Sequence, residues 1–159
     1  MRDLSRSLRP LALPAALALS FAATSVAAAA PASSAATVVQ GTGTIAASGD
    51  GYARAAGSFV LTGSMDGGWV KVSGLAGPDI VRITGWTSRT RLVDGSLLFR
   101  GVHGTVYVAG RRIAVAMSGP HIRFVATGHG EVFLKGAGTY SLNGGTAQPW
   151  SSPGDRYTF

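Results

Sequence analysis

From Thr37 onward the chain is a succession of short runs in which apolar residues alternate with small or polar ones, each run closed by glycine. The runs are GSFVLTG (57–63), GGWVKVSG (67–74), GPDIVRITG (77–85), GSLLFRG (95–101), GTVYVAG (104–110), RRIAVAMSG (111–119), PHIRFVATG (120–128), GEVFLKG (130–136) and GTYSLNG (138–144). A period of two puts alternate side chains on opposite faces of a strand. Val70 and Val72 thus oppose Trp69, Lys71 and Ser73, and Ile113, Val115 and Met117 oppose Ala114, Ala116 and Ser118. One face is buried and the other is wet. The runs are rich in Val, Ile, Phe, Tyr and Thr, and no window repeats apolar residues at helical spacing. The fold class is therefore all-β, and the glycines are expected to make tight turns, because they reach positive φ without a Cβ clash.

Three stretches align with one another: Tyr52–Gly63, Leu98–Gly110 and Phe133–Gly144. Each opens on an aromatic or apolar residue, then a basic residue, a small-residue turn and an alternating strand. The first two continue alike, WVKVSG (69–74) beside IAVAMSG (113–119) and GPDIVRITG (77–85) beside GPHIRFVATG (119–128). A four-strand unit of about forty residues would then occur twice, with a third copy cut short. Such a unit cannot bury its apolar face alone and must stack on or face its neighbour. Two architectures follow: an antiparallel two-sheet sandwich or barrel, and, as the alternative, a β-solenoid. Short connections favour the antiparallel form, since parallel neighbours need longer crossovers.

The start of the chain is different in kind. Arg2, Arg6 and Arg9 precede an apolar run from Pro10 to Val26, and Ala27 to Ala30 follow. That is the layout of a secretory signal peptide with cleavage at small residues. The expected organisation is a signal peptide over 1–29, a flexible lead over 30–37, an all-β domain over 38–144 and an extended C-terminal tail over 145–159. No later stretch has the length of a spanning helix. The protein is expected to be exported, to the extracellular space, the cell wall or the periplasm. The ending Tyr157-Thr158-Phe159 would suit an outer-membrane barrel strand, but such strands need about nine to eleven residues, more than these runs supply.

The stretch Thr-Gly-His-Gly-Glu-Val-Phe-Leu-Lys-Gly-Ala-Gly-Thr-Tyr (127–140) resembles a group of small, uncharacterised secreted bacterial Gly-rich β-proteins. It is loosely similar to the GIN-type adhesin heads and the bactofilins. The resemblance implies a non-enzymatic protein of the cell envelope.

Composition removes several chemistries. The chain has no Cys, which excludes disulfides, a thiolate zinc site and a cysteine nucleophile. Its 23 Gly follow no G-X-Y period, and at 46% hydrophobic it is no solvated disordered chain. His129 and Glu131 share a face, but a metal needs about three converging ligands, and His103 and His121 read as turn residues. No G-x-S-x-G elbow is present. Asp50, Asp66, Asp79, Asp94 and Asp155 sit beside Gly, Pro or turn residues, where Asp caps its own backbone. The Gly-x-Gly pairs at 41/43, 49/51, 128/130 and 136/138 open no helix and are no dinucleotide loop. No metal or other cofactor is implied, and the chain is not expected to be an enzyme.

The basic residues are the candidate binding set. Arg54, Arg100 and Lys135 fall at one place in the three aligned copies, and Arg82 and Arg123 at nearly matching places in the third strand of two. Stacked units would align them into a stripe, flanked by Tyr52, Phe99 and Leu134. Arg89, Arg91, Arg111 and Arg112 add loop clusters. The formal net charge is +7. The expected partner is an anionic envelope polymer or lipid head groups, held through phosphate or carboxylate. Nucleic acid is set aside because of the export signal. The functional expectation is an exported, non-catalytic structural, adhesive or ligand-holding β-module, with a small secreted enzyme or inhibitor lacking any recognisable motif as the alternative.

Overall fold

The structure is a computed structural model that describes residues 42–159. The expected signal peptide, the lead and residues 38–41 lie outside the described residues. The described chain is all-β, with antiparallel pairing throughout. Its strands are β1 (Gly43–Asp66), β2 (Trp69–Ser73), β3 (Ile80–Ile83), β4 (Ser88–Arg91), β5 (Leu97–Arg100), β6 (His103–Leu142), β7 (Gln148–Pro149) and β8 (Asp155–Thr158).

Two of these strands are far longer than the runs read from sequence. β1 has 24 residues and β6 has 40. The chain does not reverse at their glycines; it bends there and goes on as strand. Each limb between bends pairs on both sides. One layer reads, edge to edge, as β7, 137–142, 43–49, 122–128, 58–66, 103–110 and β3. The other reads β8, 130–136, 51–57, 113–119, β2, β5 and β4. One ladder is therefore folded into two layers and does not close into a barrel. The inner faces of both layers form a single core, with Ile45, Leu61, Val106 and Phe124 from one and Ala53, Val70, Val115 and Leu134 from the other.

The corners explain the Gly-x-Gly pairs at 49/51, 128/130 and 136/138. Gly49 faces Gly138, and Gly51 faces Gly136. A Cβ on Gly49 would overlap the Ala137 carbonyl oxygen, and one on Gly138 would overlap that of Ser48. Two backbones thus cross closer than any side chain permits, so close approach, rather than a reversing turn, sets these glycines. β1 and the distal part of β6 keep an unbroken register through the corners, from Ser64↔Arg123 to Ile45↔Leu142. On the other side of β1, β6 gains one residue per corner: Phe59 pairs with Gly110 but Gly57 with Ile113, and Gly51 pairs with Gly119 but Gly49 with Ile122. The extra residues are bulges. Arg112 and His121 there take φ of 55° and 51°. Their amides donate to Ser58 Oγ at 3.4 Å and to Asp50 Oδ1 at 2.6 Å.

Part of the strand order is symmetric, four adjacent limbs in each layer. Exchanging 51–57 with β5, 58–66 with 103–110, β2 with 113–119 and β3 with 122–128 returns the same order read from the opposite edge. Lys71 pairs with Ala116 at the centre of the second layer, flanked by Trp69↔Ser118 and Ser73↔Ala114. Residues 145–159 carry β7 and β8 onto β6, and Trp150 and Phe159 are buried.

Candidate basic face

Strand alternation decides where each basic side chain goes. In the second layer, Ala53, Ala55, Val70, Val132 and Leu134 point inward, so their sequence neighbours point out. Arg54, Arg100 and Lys135 all stand on this outer face and are exposed. Cross-strand pairing places Lys135, Tyr52, Ser118, Trp69 and Arg100 in one row. Two residues along, Arg156, Phe133, Arg54, Ala116, Lys71 and Leu98 form the next row. With strands spaced about 4.8 Å apart, the first row spans roughly 19 Å.

Arg82 and Arg123 belong to the other layer. Both are exposed on its outer face, turned away from Arg54, Arg100 and Lys135. The expected set of five thus splits into three and two, because matching positions keep to one layer while successive limbs along the chain alternate between layers. The expected flanking residues also change. Phe99 and Leu134 are one residue from Arg100 and Lys135, so they point inward and are buried. The aromatics that flank the basic residues are Tyr52, Trp69 and Phe133. Their rings form a run, with Tyr52 to Trp69 at 6.2 Å and Tyr52 to Phe133 at 6.1 Å between centroids. The Arg156 guanidinium lies 6.0 Å from the Phe133 ring centroid, within cation–π range.

Sequence reasoning missed Lys71 and Arg156 as members of this face. The pattern WVKVSG held the signal for Lys71, which alternates with Val70 and Val72. Both residues are neutralised locally. Lys71 Nζ lies 3.1 Å from Asp94 Oδ2, and Arg156 Nη1 lies 2.8 Å from Glu131 Oε1. Hydrogen bonds from the Ser96 hydroxyl and amide, then Lys71, hold the Asp94 carboxyl down at about 2. Among the described residues no carboxylate lies within ion-pair distance of Arg54, Arg100 or Lys135.

A second constellation was not foreseen. The pairing Asp66↔His103 and the bulge at His121 bring two imidazoles to one carboxylate. His103 Nδ1 lies 2.7 Å from Asp66 Oδ1, and His121 Nδ1 lies 3.8 Å from Asp66 Oδ2. The hydrogen bond from His103 and its charge hold the Asp66 carboxyl below the usual value of 3.8. All three groups are exposed, and among the described residues no Ser or Thr hydroxyl hydrogen-bonds either imidazole. Among the same residues no group of three His, Asp or Glu side chains converges as metal ligands. Comparison of the chain with protein-family models, curated proteins and solved structures finds no match in any of the three.

Proposed function

We propose that this protein is an exported, non-catalytic module of the cell envelope that holds an anionic polymer on the outer face of its second layer. One observation carries the reading: Arg54, Arg100 and Lys135, none with a carboxylate partner among the described residues, are interleaved on one face with Tyr52, Trp69 and Phe133. Basic side chains supply attraction to phosphate or carboxylate, with Arg able to grip two oxygens at once. The aromatic rings supply flat apolar surface between the charges. A polymer with charges at intervals and apolar ring faces between them matches both, which favours an acidic polysaccharide among envelope polymers. The same reading takes the chain as a duplicated unit, supported by the symmetric part of the strand order.

Titration with polygalacturonate in low salt tests this. Binding is expected to weaken as salt rises, because surface charges are screened over about 8 Å at physiological ionic strength. Changing Arg54, Arg100 and Lys135 together to Ser is expected to abolish it, while neutral dextran does not bind the parent. Parent-like binding by the triple variant would overturn the reading. Tighter binding to a single-stranded oligonucleotide of equal charge would replace the polysaccharide with nucleic acid.

A further inference from the structure

The two edges of the sandwich are finished differently. At one, β7 and β8 cover β6, and Trp150 and Phe159 are buried in the core. At the other, β3 pairs only with β6 and β4 only with β5. There a cleft of about 540 Å3 opens between the layers. This lies within the usual range for a small-ligand site, about 300–1,000 Å3.

The floor of the cleft is apolar. Phe99 is buried, and Leu97 and Val81 are half-buried beside it. Trp86 stands in the wall, its ring edge-on to Phe99 at 6.1 Å. Its indole N–H donates to the Ile83 carbonyl at 3.0 Å. That bond fixes the ring and leaves only its apolar surface for a ligand.

The rim is cationic. Arg89 and Arg91 come from β4, where pairing with Phe99 and Leu97 puts them on the inner face of their layer; Arg82 of β3 lines the cleft beside them but alternates with the inward Val81 and Ile83 and turns its side chain out. The Arg89 guanidinium lies 5.6 Å from the Phe99 ring centroid, which orients its fork over the floor. Among the described residues Asp79 is the one carboxylate lining the cleft, and it is already engaged. Its oxygens accept the Ala76 amide at 2.8 Å and the Arg111 amide at 3.1 Å. Among the described residues no carboxylate lies within ion-pair distance of Arg82, Arg89 or Arg91. Two guanidinium groups over an apolar floor, neither within ion-pair distance of a carboxylate among the described residues, match a ligand that is both anionic and apolar.

We infer that this cleft binds a small single-chain amphiphile, its carboxylate or phosphate head on the arginine rim and its apolar part against Phe99 and Trp86. Arg recognises either head by paired N–H···O bonds. The site is independent of the polymer face: Arg54, Arg100 and Lys135 line none of it.

Calorimetric titration of the purified protein with decanoate and decyl phosphate, both below their micelle concentrations, tests the inference. Each is expected to bind at one site. Acetate, which lacks the chain, and decanol, which lacks the charge, are expected to bind at least about tenfold more weakly. Changing Arg89 and Arg91 together to Gln is expected to lower decanoate affinity by about tenfold or more. Arg89→Gln alone, which removes the guanidinium over Phe99, serves as a second variant should the double one melt early. The Arg54, Arg100 and Lys135 triple Ser variant is expected to bind decanoate like the parent, which separates this site from the polymer face. No heat with either anion, decanol binding as tightly as decanoate, or parent-like affinity in both rim variants would overturn the inference.

Discussion

The long ribbons, β1 with β6, and the excursion between them, residues 67–102, are written in nearly the same alphabet of alternating residues and glycines. They fold to different ends. In the ribbons each limb has a hydrogen-bonded neighbour on both sides, and the glycines lie where backbones cross. In the excursion β3 and β4 are edge strands; Gly68, Gly74, Gly85 and Gly101 are crowded as in the ribbons, but a Cβ on Gly77 or Gly95 would meet nothing within 4 Å. Those last two glycines answer to positive φ, 54° and 76°, rather than to crowding. The ribbons therefore supply rigidity, and the excursion supplies the open edge with its arginines and Trp86. A scaffold paired on both sides can carry a binding cleft on a segment that is not.

The largest expected contrast is in the core. Leu61 sits fully buried in the ribbon, and its change to Ala is expected to cost roughly 3–4 kcal/mol. Leu97 in the excursion is only half-buried, and the same change is expected to cost about 1 kcal/mol. Urea denaturation of both variants measures this. Equal losses would mean that the excursion is as integral to the core as the ribbons.

The glycines give the next contrast. Gly138→Ala needs no left-handed backbone but meets the opposite strand, so it is expected to cost roughly 2–3 kcal/mol. Gly95→Ala meets nothing but must hold a positive φ, at a cost of about 1 kcal/mol. The same denaturation series ranks them, and a Gly138→Ala variant as stable as the parent would remove close approach as the reason for the corner glycines.

What the sequence made legible follows from this difference. Alternation told the inside of a strand from its outside: Val70 and Val72 are buried while Trp69, Lys71 and Ser73 are half-exposed, as the pattern required. Alternation with the buried Ala53, Phe99 and Leu134 puts Arg54, Arg100 and Lys135 on one face. Periodicity says nothing about which strand is the neighbour. A glycine that bends a strand into the other layer looks, in sequence, like a glycine that reverses it. Arg82 and Arg123 thus went to the opposite face, and Asp66 met His103 across a pairing that spans the whole excursion. The cleft was invisible for the same reason, since it depends on β3 and β4 lacking partners on one side.

A smaller effect is expected at the basic face. Arg54, Arg100 and Lys135 are exposed and make no ion pair among the described residues, so the triple change to Ser is expected to shift stability by less than about 0.5 kcal/mol. Thermal melts beside the binding titration check this. A large loss would mean that these side chains brace the sheet through their stems rather than wait for a ligand.

The smallest effect is in acid, and it again separates the two regions. Asp94 holds the excursion loop, accepting from the Ser96 amide at 3.0 Å and also from the Ser96 hydroxyl. Asp66 stands where the ribbon meets the excursion, paired with His103. Both carboxyls titrate below the usual value of 3.8 when folded, Asp94 at about 2. A carboxyl lowered by folding favours the folded state above its unfolded value, and that contribution fades as pH falls through the folded value. Stability contributed by Asp94 is thus expected in full above about pH 4 and lost towards pH 2. Comparing melting temperatures of the parent and Asp94→Asn at pH 6 and pH 2 should show a small gap that closes in acid. Amide exchange should place the loosening at pH 6 in residues 92–96 and not in β1. A gap that persists unchanged at pH 2 would mean that Asn lost something other than the charge, and exchange that rises equally in β1 would mean that ribbon and excursion open as one unit.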